Sequence, residues 1–142
     1  MKKKKIIVIV AMSALCIGVF GASMVFKGPR KLNNVKADLV INSSDLYEEY
    51  SINEEEANNK FLNKIIEVEG TVQDISFDDS GNMNIYLQTS ETAMGTVSCN
   101  ILKENIADAK DIKVGDKVGI KGLCSGYLID VVLTKCVINN KS

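Results

Sequence analysis

Ile65-Ile66-Glu67-Val68-Glu69-Gly70-Thr71-Val72 and Asp116-Lys117-Val118-Gly119-Ile120-Lys121-Gly122-Leu123-Cys124 are two versions of one pattern. In each, apolar residues alternate with charged ones and the apolar series ends near a glycine. A period of two marks a half-buried strand, and a glycine lets that strand bend sharply around a small barrel. Paired antiparallel, the two strands would set Glu67 and Glu69 beside Lys117 and Lys121 on the outer surface, with Val68, Val72, Val118 and Ile120 facing in. Opposite charges across a ladder contribute roughly 0.2–1 kcal/mol each and like charges oppose pairing, so this register is the expected one.

Other segments read outward from these two. Asp78-Asp79-Ser80-Gly81-Asn82 is a turn whose Gly and Asn tolerate positive φ, followed by a strand over Asn84 to Gln88 and another over Thr96 to Ile101. Lys103 to Lys110 reads as a short helix with Ile106 and Ala109 inward. After the strand Lys117 to Cys124, Ser125-Gly126 predicts a break, and Ile129 to Ile138 forms a fifth strand. Upstream, Ser44 is placed to cap a helical turn over Asp45 to Tyr50, with acids near its positive end. Ser51 with Glu54 and Asn53 with Glu56 have capping-box spacing for a second helix, Glu54 to Leu62, that turns Ala57 and Phe61 to one side. Five strands with a helix between the third and fourth is the order of an OB-fold. The expected class is therefore all-β with short helices: a five-stranded OB barrel preceded by a short helical extension and an N-terminal transmembrane helix.

That last element comes from the start of the chain. Lys2 to Lys5 precede an uncharged, mostly apolar run of 21 residues, Ile6 to Phe26, closed by Lys27, Arg30 and Lys31. At about 1.5 Å per residue the run spans roughly the 30 Å of a bilayer core, and the lysines hold the N-terminus inside. Residues 1–27 are expected to be a signal-anchor, 28–42 a juxtamembrane linker with basic residues near anionic headgroups, and 43–142 the OB domain with its helical extension. The localisation implied is the cell membrane, single-pass, with the C-terminal domain extracytoplasmic. Gly21 and Ser23 have the −3 and −1 spacing of a cleaved signal peptide, which would make the domain secreted. The 142 residues have a formal net charge of −1. Residues 1–27 hold five lysines and no acid, however, so the rest carries twelve basic against eighteen acidic side chains, a net of −6. Such a domain repels a phosphate backbone in general.

No histidine occurs in the chain. Ser-His and Cys-His dyads and His-based metal sites are thereby excluded, and no enzyme activity and no cofactor are expected. Asp74, Asp78, Asp79 and Asn82 crowd one hairpin, but without the spacing of an EF-hand they read as an ordinary turn rather than a metal site. An OB-fold binds through the exposed face of its second and third strands and the flanking loops. Here that face would carry Asn84, Tyr86, Gln88, Thr96, Ser98 and Asn100, with Phe77 and Tyr127 beside it in the loops. The three aromatics could stack bases, yet the face has no basic cluster, and an uncharged polar face suits a protein, peptide or envelope glycan at least as well. The expected function is a membrane-tethered, extracytoplasmic binding module for such a partner; the alternative is a single-stranded nucleic-acid-binding OB protein.

Asn53, Ala57, Phe61 and Lys64, then Val68-x-Gly70-x-Val72, Val97-x-Cys99, Val114-Gly115-Asp116-x-Val118-x-Ile120-x-Gly122-x-Cys124 and Leu133-x-x-Cys136-x-Ile138 resemble the tRNA_anti-like family of bacterial exported and lipoprotein-like OB-fold proteins. The resemblance covers about residues 38–140. It implies a five-stranded OB barrel with an N-terminal helical extension and, for function, an OB-fold binding module. A small residue does not precede Cys16, so the lipidation site of lipoprotein-like members is lacking. The resemblance places cysteine at both 124 and 136, on neighbouring strands, and implies a Cys124–Cys136 disulfide formed with the help of a bulge, with Cys99 a buried thiol; Cys99 with Cys136 is the alternative.

Overall fold

The computed structural model describes residues 32–141. These belong to one compact unit, Leu32–Ser142. The expected anchor, residues 1–27, and the first part of the expected linker lie outside the described residues. Among the described residues no helix is long and apolar enough to cross a membrane.

Five strands close a barrel: β2 (Ile65–Phe77), β3 (Met83–Leu87), β4 (Val97–Ile101), β5 (Lys117–Tyr127) and β6 (Val131–Lys141). The first, β2, pairs antiparallel with β3 through its second half and with β5 through its first half, and a parallel β4–β6 pairing completes the ring. Valines, leucines and isoleucines at alternate positions of all five strands fill the interior; Val68, Val72, Val118 and Ile120 are all buried there, as expected. Burying each is worth about 1.5–3 kcal/mol relative to exposure.

The seam between β2 and β5 has the expected register, with Glu67 opposite Lys121 and Glu69 diagonal to Lys117. What differs is exposure: Glu67 is only 8% exposed and Lys121 only 6%. A short strand, β1 (Leu39–Asn42), runs parallel to β2 from Ile66 to Glu69, and a 3-10 turn at Leu32–Asn34 lies beside the seam. Under this cover Glu67 Oε1 accepts from Asn139 Nδ2 at 2.8 Å, and Lys121 Nζ donates to the Asn33 carbonyl at 3.4 Å. Much of the stretch expected as linker is thus part of the folded unit. Four residues are too few to display a period, which is why Leu-Val-Ile-Asn does not announce a strand.

Helix α1 (Ser43–Ile52) begins at Asn42, whose Oδ1 accepts from Ser44 N, so Asn42 takes the capping place expected of Ser44. Gly70 allows this first turn to lie on the barrel, since a Cβ there would come within 2.5 Å of Ser43 Oγ. Asn53 then does two jobs. Its N–H closes α1 onto the Glu49 carbonyl, and its side chain caps α2 (Glu54–Phe61) by accepting from Glu56 N. Ala57 and Phe61 are buried, as their spacing predicts. The segment Lys103–Asp108 is a 3-10 helix with Ile106 and Ala109 on the core.

Three strands run past their expected ends, β2 to Phe77, β5 to Tyr127 and β6 to Lys141, and β6 begins at Val131 rather than Ile129. Ser125-Gly126 does not break β5: Ser125 is the extra residue of a bulge, and Gly126, at φ 118°, carries the ladder on to Tyr127. A second bulge sets Lys135, at φ 53°, and Cys136 against Gly122. This arrangement corrects the expected Cys124–Cys136 disulfide, because the three thiols are free and buried. Cys124 pairs with Leu133, and its Sγ lies 3.4 Å from the Tyr50 hydroxyl. Cys136 packs over Gly122 and hydrogen-bonds with the Cys99 side chain; burial first, and this contact second, push its thiol pKa well up.

Candidate binding face

Strands β3 and β4 alternate strictly. Met83, Ile85 and Leu87 on one, and Val97, Cys99 and Ile101 on the other, point into the barrel, so Asn84, Tyr86, Ser98 and Asn100 point out. In register, Asn84 stands opposite Asn100 and Tyr86 opposite Ser98. Asn100 Nδ2 donates to Asn84 Oδ1 at 2.8 Å. The Tyr86 hydroxyl lies 3.4 Å from Ser76 Oγ, and across β2 the tyrosine pairs with Asp74. The result is a half-buried polar panel centred on one tyrosine, with Asp74 as the charge beside it. Among the described residues of this panel there is no lysine.

Asp74 and Ser76 join the panel through a feature the alternation of β2 hides. A bulge between Val72 and Asp74 inserts Gln73 and shifts the phase of the strand by one. Before it the core positions are Val68 and Val72; after it Ile75 falls opposite core-facing Ile85. Phe77 consequently lies in register with buried Met83 and not with Tyr86, and is exposed at the last position of β2. It does not share the panel.

The other expected residues divide. Gln88 directly follows β3; its N–H donates to the Thr71 carbonyl at 2.8 Å and its own carbonyl accepts from Ser43 Oγ at 2.6 Å. Gln88 helps line a polar cleft of about 410 Å³, with Ser43, Gly70, Thr71 and Lys117 among the walls. Thr96 is engaged elsewhere, its N–H and hydroxyl both donating to Asp130 Oδ1 at 2.7 and 3.0 Å. Tyr127 is not a loop aromatic beside the panel at all. It packs beneath α1, stacked on Tyr50 at 5.6 Å between ring centroids and edge-on to Tyr47 at 5.8 Å. A hydrogen bond that its hydroxyl donates to Tyr47, chiefly, and burial second raise its pKa. The aspartate turn is self-satisfied: Asp78 accepts from Ser80 N, Asn82 N and Asn82 Nδ2, and the Asn82 bonds hold its carboxyl below the usual range.

Comparison with known proteins places this barrel. The family model described as tRNA_anti-like matches residues 1–138. The chain belongs to the tRNA_anti-like family. The match extends over the N-terminal segment as well as the barrel, further than the motifs from Asn53 to Ile138 reach. Among solved structures, the tRNA_anti-like chain is similar to a proposed nucleic acid-binding lipoprotein from Klebsiella pneumoniae, with a TM-score of 0.59, 17% identity, and coverage of 70% of this chain and 91% of that one. At that identity the likeness shows the shared fold. Asparaginyl-tRNA synthetase from Entamoeba histolytica also matches, with a TM-score of 0.43 and 15% identity over 72% of this chain and 24% of the synthetase. No curated protein matches.

Proposed function

We propose that this tRNA_anti-like domain is a non-enzymatic binding module, displayed outside the cell membrane on its N-terminal apolar segment, whose β3–β4 panel takes a protein, a peptide or an envelope glycan. The observation that carries the reading is the chemistry of the panel: Asn84, Asn100, Ser98 and Ser76 offer hydrogen-bonding groups around Tyr86, and the charge beside them is an aspartate. Residues 32–141 hold ten lysines against eighteen carboxylates, a net of −8. Single-strand binders combine stacking, at about 1–3 kcal/mol per base, with a positive groove, and here one tyrosine stands without that groove. Lys2 to Lys5 and the apolar run Ile6 to Phe26 support the membrane address, and the absence of histidine supports the non-enzymatic reading.

A second reading, single-stranded nucleic-acid binding, is favoured by the family and by the role proposed for the Klebsiella lipoprotein. Titration of the full-length chain with mixed-sequence ssDNA and RNA separates the two. The first reading expects no saturable binding tighter than about 10⁻⁴ M at physiological salt. Micromolar affinity that falls steeply with salt and is lost in Tyr86→Ala establishes the second. Affinity capture from solubilised envelopes, with Tyr86→Ala as the control, then identifies the partner. Protease accessibility of the domain in intact and opened cells tests the address.

A further inference from the structure

The four most exposed large apolar side chains among the described residues are Met94 (94%), Leu128 (86%), Ile52 (75%) and Ile129 (69%). They come from three separate parts of the chain, yet all four line one groove of about 890 Å³. Its floor is aromatic, with Tyr47 edge-on to Tyr127. Scattered single apolar residues on a surface mean little, whereas a contiguous patch of this kind marks an interaction site.

The patch is held in shape. Gly95, in the β3–β4 loop, lies so close to the Ile129 carbonyl of the β5–β6 loop that a Cβ would collide with it. Asp130 takes two hydrogen bonds from Thr96, and Val131 N donates to the Thr96 carbonyl at 3.0 Å. Thr89 Oγ1 donates to the Gly95 carbonyl at 2.6 Å. Two loops that present apolar tips are thus clamped to each other and to the barrel.

The charge around the groove identifies its occupant. Among the described residues Glu48 is the one charged residue on its walls. Glu48 and Ile52 also belong to an adjoining trough of about 560 Å³, which adds Asp45, Glu49 and Glu56. Lys60 pairs with Glu49 and Glu56 at 2.6 and 3.5 Å, so one lysine stands against four carboxylates. Among the described residues no lysine or arginine lines either depression. An apolar wall running into an acidic trough matches a segment that is apolar on one side and basic on the other, and it opposes an anionic bilayer.

We infer that the α1 and loop end of the domain is a docking groove for a cationic amphipathic helix of a partner protein, separate from the β3–β4 panel and independent of what that panel binds. The test uses the full-length chain and two synthetic 14-residue helical peptides of leucine with lysine or leucine with glutamate. The Met94 methyl NMR signal reports locally. The Leu/Lys peptide should bind saturably and shift that signal. Ile52→Ser with Leu128→Ser, which keeps the Met94 reporter, should weaken binding at least about tenfold, the loss of more than one buried anchor. Asp45→Lys with Glu48→Lys should reverse the preference toward the Leu/Glu peptide, an outcome that a variant failing to fold cannot produce. Equal affinity in wild type and serine variant, or wild-type preference for the Leu/Glu peptide, overturns the inference. So does a Met94 shift caused by phosphatidylglycerol vesicles or by raising the protein concentration but not by the Leu/Lys peptide, which would assign the surface to lipid or to a second copy.

Discussion

Of the four tyrosines in the chain, three lie under the helical extension and one on the strand panel. Tyr47, Tyr50 and Tyr127 pack against one another with Phe61 beside Tyr50, and Tyr50 is almost wholly inaccessible. Tyr86 stands half-buried among serines and asparagines, its hydroxyl near Ser76. The same residue type therefore does opposite work on the two sides of the barrel. Under the helices an aromatic ring ties α1 and α2 to β5, while on the panel it is a surface for something else. In the first place its loss should be felt as instability; in the second, as lost binding.

The largest expected effect sets these two tyrosines side by side. Tyr50→Ala removes a buried aromatic and leaves a cavity between the helices and the barrel, and should cost about 3–5 kcal/mol in denaturant unfolding. Tyr86→Ala, at a partly exposed position, should stay within about 0.5 kcal/mol. Similar losses at the two sites would break the distinction. Gly95→Ala comes next. The added Cβ meets the Ile129 backbone carbonyl, which cannot swing aside as a flexible side chain would, so overpacking should cost about 1–3 kcal/mol and loosen both loops. A thermal melt unchanged by this substitution would show that the loop clamp is not rigid.

How much of this was legible in the residues differs between the two sides. The β2–β5 pairing was readable, because a period of two and opposite charges put Glu67 and Glu69 beside Lys117 and Lys121; the structure stands Glu67 opposite Lys121. The burial of that pair was not, since it depends on β1 and on Leu32–Asn34, neither long enough to carry a pattern. On the panel, Asn84, Tyr86, Ser98 and Asn100 were found by alternation. Phe77 was misplaced because the residues read as a strand ending at Ile75 with Phe77 in a loop, whereas β2 runs on to Phe77 and the Gln73 bulge, which nothing in Thr-Val-Gln-Asp marks, sets it against Met83. Tyr127 was misplaced for a related reason: reading a break at Ser125-Gly126 put it in a loop, whereas β5 continues through a bulge and delivers it to α1. The apolar groove did have a signal, since Met94 and Leu128 are large apolar residues in segments that otherwise read as loops, while Ile129 reads as the start of the fifth strand, which begins at Val131.

A smaller effect belongs to the helical side and appears with pH. Burial, chiefly, and the contact with Cys124 raise the Tyr50 pKa above its ordinary value near 10. The folded protein thus holds this proton more tightly than the unfolded chain, and the associated stability is fully present below about pH 10 and is lost as pH rises further. Tyr50→Phe gives up the hydroxyl contact, worth about 0.5–1.5 kcal/mol at neutral pH. It also lacks the alkaline loss. The stability curves of wild type and variant should therefore converge above about pH 10. Cys136, whose raised pKa acts in the same direction, is present in both proteins and cancels in the difference. Parallel curves across that range would show that Tyr50 ionises as freely folded as unfolded.

The smallest effect tests whether the panel is organised before anything binds to it. Asn100 Nδ2 and Asn84 Oδ1 meet at 2.8 Å, and both side chains are half-buried, so water competes for the bond and its net worth to folding is at the low end, about 0.5 kcal/mol. A double-mutant cycle with Asn84→Ala and Asn100→Ala measures that coupling directly, because the two residues face each other across the β3–β4 ladder. The more informative quantity is the same cycle run on partner affinity once capture has supplied a partner. If the bond fixes the two amides in the orientation the partner reads, either single substitution should remove most of what the pair contributes, and the second should add little. Additive losses would mean that each asparagine meets the partner on its own and that Tyr86, rather than the amide pair, sets the geometry of the panel.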